Sequence, residues 1–316
     1  MRKWLPDVVL AVLMVWSVML LGALLYGNKN HEENISPTLM TQESSEALPE
    51  TIGVLVDGKV EEMELSEYLT GVLLCELPAD FHLEAKKAQA IVARTYAIRV
   101  ARQGLKHGYG VVCGDPACCQ GFTLAKDYIE RWGLELPVEQ AREAVENTEN
   151  LVLTYAGQLI DATYFSCSGG QTEAALAVWG ADVPYLQSVD SPGEENSGHY
   201  REIKTFSLDA FCDVLGVDKG HSPLLGAARY TEGGGVSQME IGGTTFSGTA
   251  LRSKLELRST WFSMTLSDEV VTVITRGFGH RVGMSQYGAD AMAKNGAEYD
   301  EILKHYYAGV DLESWE

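Results

Sequence analysis

Glu76 stands where an apolar helix meets a proline, Pro78, and a carboxyl group in that position can work as an acid. From Leu65 onward, apolar side chains recur at i, i+3, i+4, i+7 and i+8, which predicts a helix that buries one face and carries Glu76 in its last turn. Helix C-termini favour cations, and apolar surroundings disfavour a charged carboxylate, so both effects raise the pKa of Glu76. A carboxyl group protonated near neutral pH can donate a proton.

A second, alanine-rich helix is expected from about Leu83 to Ala101. Lys87 and Arg94 lie seven residues apart on one face of it, so two cations are expected to project together near the turn that holds Glu76. These two cations and Tyr96 of the same helix are candidate contacts for a bound ligand. The competing interpretation is that Lys87 or Arg94 forms an ion pair with Glu76, which would make the glutamate structural.

Four side chains that can bind a metal fall within one loop that lacks helical periodicity: His107, Cys113, Cys118 and Cys119. Thiolates and imidazoles are ligands that zinc prefers. A disulfide from Cys113 to one of the two adjacent cysteines is the alternative in an oxidising compartment. The spacing by itself does not decide between a metal site and a disulfide.

Two glycine-containing turns carry further polar side chains. His280 lies in a glycine-rich turn with Ser285 and Gln286, and Ser168 precedes Gly169 and Gly170. Polar groups on such turns can approach a bound ligand closely, although a turn histidine can equally be satisfied within the protein. We treat His280, Ser168, Ser285 and Gln286 as candidate ligand contacts.

The N-terminus predicts a membrane anchor. Val8 to Tyr26 is uncharged, is close to the ~20 residues that span a bilayer, and follows Arg2 and Lys3. No small-residue cleavage site follows it, so we expect a retained single-pass helix with Met1 in the cytoplasm and the rest of the chain outside the cell membrane. We expect residues 1–27 to form the cytoplasmic tip and anchor, and residues 28–50 to form a flexible polar tether.

The chain has 316 residues, of which 46% are hydrophobic, so it can bury a substantial core. Hairpins are expected at Thr51 to Met63 and at Leu151 to Phe165, and a short helix at Pro137 to Asn150. The amino-acid composition changes at residues 191–270, which are rich in glycine. We therefore predict an α+β fold, with a core of residues 51–190 and 271–316 and an inserted subdomain of residues 191–270.

The formal net charge of −20 argues against nucleic acid as a partner, because phosphates require a basic face. A polyanionic ligand needs a local concentration of cations in such a protein. The candidate cations are Lys87, Arg94, Arg99, Arg276 and Arg281.

Four sequence blocks resemble one known family. GVLLCELPADFHLEAKKAQAIVARTYAIR and RGFGHRVGMSQYGA, together with FSCSGGQTE and WGADVPYLQSV, are similar to signatures of the stage II sporulation protein D family of peptidoglycan lytic transglycosylases. The matches span most of the chain from about Ile52 to Leu312. The family commonly has a small residue at the position of Cys75 and Ser or Thr at that of Cys167, so no role is carried over to these two cysteines.

The resemblance implies a mechanism and partners. Glu76 would protonate the leaving glycosidic oxygen and then deprotonate the sugar's own 6-hydroxyl, which leaves a 1,6-anhydro end without a second carboxylate. It also implies a structural zinc on His107, Cys113 and Cys119, completed by Cys118 or a water. The implied partners are glycan strands, stripped of stem peptides, and an amidase of the sporulation engulfment machinery.

Two other classes of function stay open from the sequence. One is a zinc or cysteine hydrolase of the cell wall, with His107 and Cys113 as catalytic ligands or with Cys167 attacking and His280 as base. The other is a noncatalytic scaffold that binds glycan and recruits other enzymes.

Overall fold

A computed structural model describes residues 47–56, 58–104 and 106–315, which belong to one compact unit. The predicted membrane segment and most of the tether lie outside these residues. Among the described residues, no helix is both long and apolar enough to cross a membrane.

The described residues form nine helices and fourteen strands. The helices are α1 (Leu65–Glu76), α2 (Leu83–Gln103), α3 (Ala125–Trp132), α4 (Leu136–Glu146), α5 (Ala175–Trp179), α6 (Leu208–Leu215), α7 (Gly248–Lys254), α8 (Gln286–Lys294) and α9 (Tyr299–Tyr306). The strands are β1 (Thr51–Val56), β2 (Lys59–Glu64), β3 (Val111–Cys113), β4 (Leu151–Tyr155), β5 (Gln158–Leu159), β6 (Tyr164–Phe165), β7 (Arg201–Ser207), β8 (Leu225–Tyr230), β9 (Val236–Ile241), β10 (Thr244–Ser247), β11 (Trp261–Ser267), β12 (Val270–Arg276), β13 (Met284–Ser285) and β14 (Asp311–Ser314).

The strands form five small sheets, with the orders β2-β1-β3, β10-β9-β8, β11-β12-β7, β13-β6 and β14-β4-β5. Most pairs are antiparallel, but β3 joins β1 and β13 joins β6 in parallel. The predicted α+β class is confirmed, because the helices are interspersed among small mixed sheets and do not alternate with the strands of one parallel sheet.

The first predicted hairpin is confirmed by the antiparallel pair β1–β2. The second is shorter than predicted, because β4 pairs only with Gln158 and Leu159. Tyr164 and Phe165 instead pair in parallel with Met284 and Ser285. This pairing brings two distant blocks of the sequence together.

Helix α2 is the centre of the main core and packs against α1, α4, α8, α9 and β4. Its alanines are almost completely buried, so the neighbouring helices approach closely. The helix ends at Gly104, whose φ of 63° is the left-handed conformation that favours glycine.

A separate hydrophobic cluster lies between residues 211 and 273. It is built from α6, α7 and the strands β9, β11 and β12, with Phe211, Ile241 and Val271 among its fully buried residues. A separate core is what a subdomain requires. The predicted division into domains stays a prediction.

Candidate active site and metal centre

Glu76 is the last residue of α1, and its side chain is half-buried. The Gly121 N–H donates a hydrogen bond of 2.6 Å to Glu76 Oε1. Burial raises the pKa of Glu76, while hydrogen bonding from Gly121 and from the Tyr164 and Gln286 side chains opposes the rise. The net shift is upward, which is the direction that a proton donor needs.

Two glycines let the loop after Cys119 lie directly on α1. A Cβ on Gly71 would be 2.4 Å from the Thr123 carbonyl oxygen, so only hydrogen fits there. A Cβ on Gly121 would be 2.8 Å from Cys75 Sγ and 3.0 Å from Glu76 Oε1. The close approach of two backbones therefore places the Gly121 N–H against the carboxylate.

Tyr164 reaches Glu76 from β6, and Gln286 reaches it from the first turn of α8. Gln120 accepts a hydrogen bond from Tyr68 and donates one to the Tyr164 hydroxyl, at 3.2 and 3.3 Å. Burial, and next the nearby Glu76, raise the pKa of Tyr164 well above its ordinary value, so this hydroxyl stays protonated. Gln286 is 6% exposed, and its Nε2 has no hydrogen-bond partner among the described residues, so this amide is free to donate to a group that enters the site.

The parallel pairing of β6 with β13 explains why these groups meet. It aligns Met284 with Tyr164 and Ser285 with Phe165, and α8 begins at the next residue, Gln286. The sequence analysis missed Tyr164, Gly121 and Gln120. The sequence did hold a signal for them, because Gln120 and Gly121 directly follow Cys119 and Tyr164 directly precedes the block FSCSGGQTE.

The four predicted metal ligands meet in space. One ligand atom each from His107, Cys113, Cys118 and Cys119 lies within 4.8 Å of the others. Cys118 Sγ is 3.3 Å from His107 Nε2. One nitrogen and three sulfur donors match the composition of structural zinc sites.

The backbone explains how the cluster is assembled. Strand β3 ends at Cys113, which is fixed by the parallel pairing with β1. The carbonyl of Asp115 accepts hydrogen bonds from the N–H groups of Cys118 and Cys119, which turns the chain back toward Cys113. All three cysteines are free thiols in this structure. The metal site stays a prediction.

The helical periodicity predicted Arg94 near Glu76, and the structure shows that this prediction is wrong. Arg94 is 2% exposed and donates hydrogen bonds to the carbonyls of Leu151 and Val145, at 3.0 and 3.2 Å. The face of α2 that carries it packs on α4 and β4, which the spacing alone did not reveal. The side chain therefore ties three elements together.

Lys87 also has an internal partner. Its Nζ lies 2.7 Å from Glu84 Oε1 and 5.8 Å from the centre of the Tyr299 ring. The alternative interpretation, an ion pair of Glu76 with Lys87 or Arg94, is therefore wrong, because both cations have other partners. Arg281, another candidate cation, is completely buried, and its Nη1 lies 3.3 Å from Glu173 Oε1.

Ser168 and Ser285 share a buried carboxylate that the sequence analysis did not single out. Glu194 is 2% exposed and accepts hydrogen bonds from both serine hydroxyls, at 2.8 and 2.5 Å. It also accepts from the N–H groups of Ser168 and Gly169 and from the Ser191 hydroxyl. Both predicted serine contacts are 0% exposed, so in this structure they fix the two blocks that position Gln286.

His280 lies in a turn and makes its contacts within the protein. Its Nδ1 accepts a hydrogen bond from the Val282 N–H, and its ring lies against Phe165 and Trp179. Burial, and next the charge of Arg252, lower the pKa of His280 to about 4, so the imidazole is neutral at pH 7.

The predicted cysteine nucleophile lies in an unfavourable place. Cys167 is completely buried, and its Sγ is 3.1 Å from the Glu194 carboxylate. Burial and that negative charge raise the pKa of the thiol, which opposes formation of a thiolate. His280 packs against aromatic rings instead of Cys167, so the geometry gives no support to a cysteine hydrolase.

Replacing Arg94 with alanine is expected to lower the free energy of unfolding by about 3 kcal/mol, because two buried carbonyls lose a charged donor. Denaturant unfolding measures this. Arg142→Ala, at an exposed position of α4, is the matched control and should change stability by less than about 0.5 kcal/mol. Arg94→Lys should recover only part of the loss. Wild-type stability combined with weakened glycan binding would contradict the structural role.

The fold and site define a class: an α+β protein in which a half-buried carboxyl group of raised pKa adjoins a loop with four clustered metal-ligand side chains. A family profile described as Stage II sporulation protein matches residues 57–155, a segment that contains both features. Stage II sporulation protein D of Bacillus subtilis (strain 168) is 38% identical over 283 residues, 87% of this chain and 82% of that protein.

The protein of the same name from Bacillus amyloliquefaciens is 39% identical over 258 residues, 80% of this chain and 75% of that protein. The chain therefore belongs to the stage II sporulation protein D family, a family of sporulation proteins, and the predicted resemblance is confirmed. A further relative, named amidase enhancer, from Bacillus subtilis (strain 168), is 30% identical over 304 residues, covering 78% of this chain and 40% of that protein.

Proposed function

We propose that this protein is a membrane-anchored lytic transglycosylase that cleaves peptidoglycan glycan strands during sporulation engulfment, with Glu76 as the general acid and base. The observation that carries the proposal is the environment of Glu76. Burial raises its pKa, and the groups that contact it are a main-chain N–H, a tyrosine and a glutamine. A single acid in neutral surroundings suits a reaction in which the substrate supplies its own nucleophile.

The proposed reaction has two proton transfers, and Glu76 takes part in both. Glu76 gives its proton to the glycosidic oxygen as that oxygen leaves the anomeric carbon. The 6-hydroxyl of the same sugar attacks the anomeric carbon and returns its proton to the Glu76 carboxylate. The Gly121 N–H and the Tyr164 hydroxyl stabilise that carboxylate while it is charged, and the enzyme ends in its starting protonation state.

We further propose that His107, Cys113, Cys118 and Cys119 hold a structural zinc ion. The metal would crosslink the loop whose continuation, Gln120 and Gly121, contacts Tyr164 and Glu76. Four protein donors leave no open position for substrate or water, so the donor set favours a structural role over that of a zinc hydrolase.

The predicted anchor at Val8 to Tyr26 would hold the enzyme at the cell membrane, with residues 47–315 facing the wall. An amidase is the partner that fits, because removal of stem peptides exposes the glycan. The amidase enhancer relative supports this association.

Product analysis tests the proposed reaction. Purified full-length protein is expected to convert peptide-stripped glycan into fragments that end in anhydro sugars, each lighter by one water than a hydrolysis product. Mass spectrometry separates the three classes of function. Free reducing ends would indicate a hydrolase, and bound but uncleaved strands would indicate a scaffold.

A further inference from the structure

A cavity of about 410 Å³ lies between helix α2 and Trp179, next to the metal-ligand loop. Tyr96, Arg99 and Gln103 line it from one face of α2, and Lys106 and Trp179 complete it. The volume falls in the usual range for sites that bind small molecules or sugar units, about 300 to 1,000 Å³. Of these residues, the sequence analysis singled out Tyr96 as a candidate ligand contact and Arg99 as a candidate cation for a polyanionic ligand.

The cavity has an excess of positive charge in a chain whose net charge is −20. Arg99 Nη1 lies 3.3 Å from Asp161 Oδ1, and both side chains are about one-third exposed, at 28% and 36%. A pair this exposed is weak, so a ligand carboxylate can replace Asp161 as the partner of Arg99. Lys106 Nζ contacts only neutral oxygens in its hydrogen bonds, the Tyr96 hydroxyl at 2.8 Å and the Cys118 carbonyl.

Trp179 adds a surface that suits a sugar ring. Its side chain is 45% exposed, and its ring is tilted by 51° to that of His280 at a distance of 5.3 Å. Trp179 lines the cavity and keeps nearly half of its surface exposed, so part of its ring is available to a ligand. An exposed aromatic face beside two cations fits an acidic saccharide, which combines an apolar ring face with a carboxylate.

The cavity lies within reach of Glu76. Lys106 contacts the carbonyl of Cys118, and three residues further along the Gly121 N–H donates to the Glu76 carboxylate. Three residues span at most about 11 Å. One extended glycan strand can therefore contact Glu76 and the cavity at the same time.

We propose that this cavity binds the free carboxylate of an acidic sugar in the glycan strand, through Arg99 and Lys106. The proposal deepens the proposed function and rests on it for the nature of the strand. In peptidoglycan the lactyl carboxylate is free only where the stem peptide has been removed, because the peptide converts it into a neutral amide. The cavity would thus distinguish stripped from peptide-bearing strands by charge.

Binding to full-length Glu76→Gln protein tests the proposal without cleavage. The probes are peptide-stripped oligosaccharides, the same oligosaccharides with their lactyl carboxylates converted to methylamides, and strands that retain stem peptides. Since charge-assisted hydrogen bonds are about twice as strong as neutral ones, we expect the free acid to bind about tenfold more tightly than either other probe. Equal affinity for the acid and the methylamide would overturn the proposal.

Substitutions in the same background locate the effect. Arg99→Ala and Lys106→Ala should each remove most of the preference for the acid and leave affinity for the methylamide nearly unchanged. Asp161→Asn should increase affinity for the acid severalfold, because it frees Arg99, and a merely structural role would not produce that gain. Lys304→Ala removes an exposed cation on α9 and is the charge-matched control. A preference that survives both cation substitutions would contradict the assignment.

Two further measurements keep the outcomes separate. Because Lys106 contacts the metal-ligand loop, melting temperature and metal content are measured for each variant, and Arg99→Ala gives the answer if Lys106→Ala fails to fold. Anhydro products without any preference for the acid would reject the cavity and keep the transglycosylase. A preference for the acid without anhydro products would keep the cavity and reject the transglycosylase. Strands with stem peptides that bind as tightly as stripped strands would show that the lactyl carboxylate is not the group recognised.

Discussion

Glu76→Gln protein is expected to turn over peptide-stripped glycan at least about 10² to 10⁴ times more slowly than the wild type, because the amide cannot donate or recover a proton. Its Oε1 can still accept the Gly121 hydrogen bond, so fold and glycan affinity should be retained. Release of anhydro-ended fragments measures turnover. Glu67→Gln, at an exposed position in the first turn of the same helix, is the matched control and should remain fully active.

The raised pKa of Glu76 gives this prediction an independent signature. The folded state binds the proton more tightly than the unfolded chain, so the contribution of this residue to stability is full below the unfolded pKa of about 4.5 and is lost as pH rises through the folded pKa. The Glu76→Gln substitution should remove that loss, so the variant should be at least as stable as wild type at pH 7. Near-wild-type turnover would reject the single-acid mechanism.

Loss of the proposed zinc site is expected to have the largest effect on stability. Protein purified under reducing conditions should contain about one zinc ion per chain. At free zinc a thousandfold above the dissociation constant, binding stabilises the fold by about 4 kcal/mol, and Cys113→Ser or Cys119→Ser should lose most of this. Metal analysis and denaturant unfolding measure the two quantities, and Cys75→Ser, which changes an exposed free thiol, is the control.

Cys118→Ser determines the fourth ligand. Its sulfur lies 3.3 Å from His107 Nε2, so this variant should lose metal affinity as the other two cysteine variants do. Retention of zinc at wild-type affinity would assign the fourth position to a water. Metal-free wild-type protein of full stability, with Cys113 in a disulfide, would reject the site altogether.

Local sequence pattern was sufficient for elements whose determinants are adjacent in the chain. The apolar spacing of α1 and Pro78 placed Glu76 at a helix end, and the alanine-rich segment from about Leu83 to Ala101 predicted α2 to within two residues of its observed end. The four candidate metal ligands could be recognised because they share one loop. Each of these features depends on neighbours within a few turns.

The groups around Glu76 depend on distant pairing, which periodicity does not report. Tyr164 reaches the carboxylate only because β6 pairs with β13, more than a hundred residues away. Arg94 was misplaced for a related reason: a helical repeat predicts which residues share a face but not which elements pack against that face. No local pattern singled out Glu194, yet it is almost completely buried and accepts hydrogen bonds from Ser168 and Ser285.

The short hydrogen-bond donor to Glu76 belongs to the main chain, at a residue that has no side chain. Every substitution at position 121 except proline keeps this donor, but the added Cβ would lie 2.8 Å from Cys75 Sγ and 3.0 Å from Glu76 Oε1, so it would displace the loop or these side chains. Burial sets the upward direction of the Glu76 pKa, and the path of this loop sets how far the Gly121 hydrogen bond opposes it. Any change that shifts this loop, including one made far from Glu76, alters the acid without altering a residue that touches it.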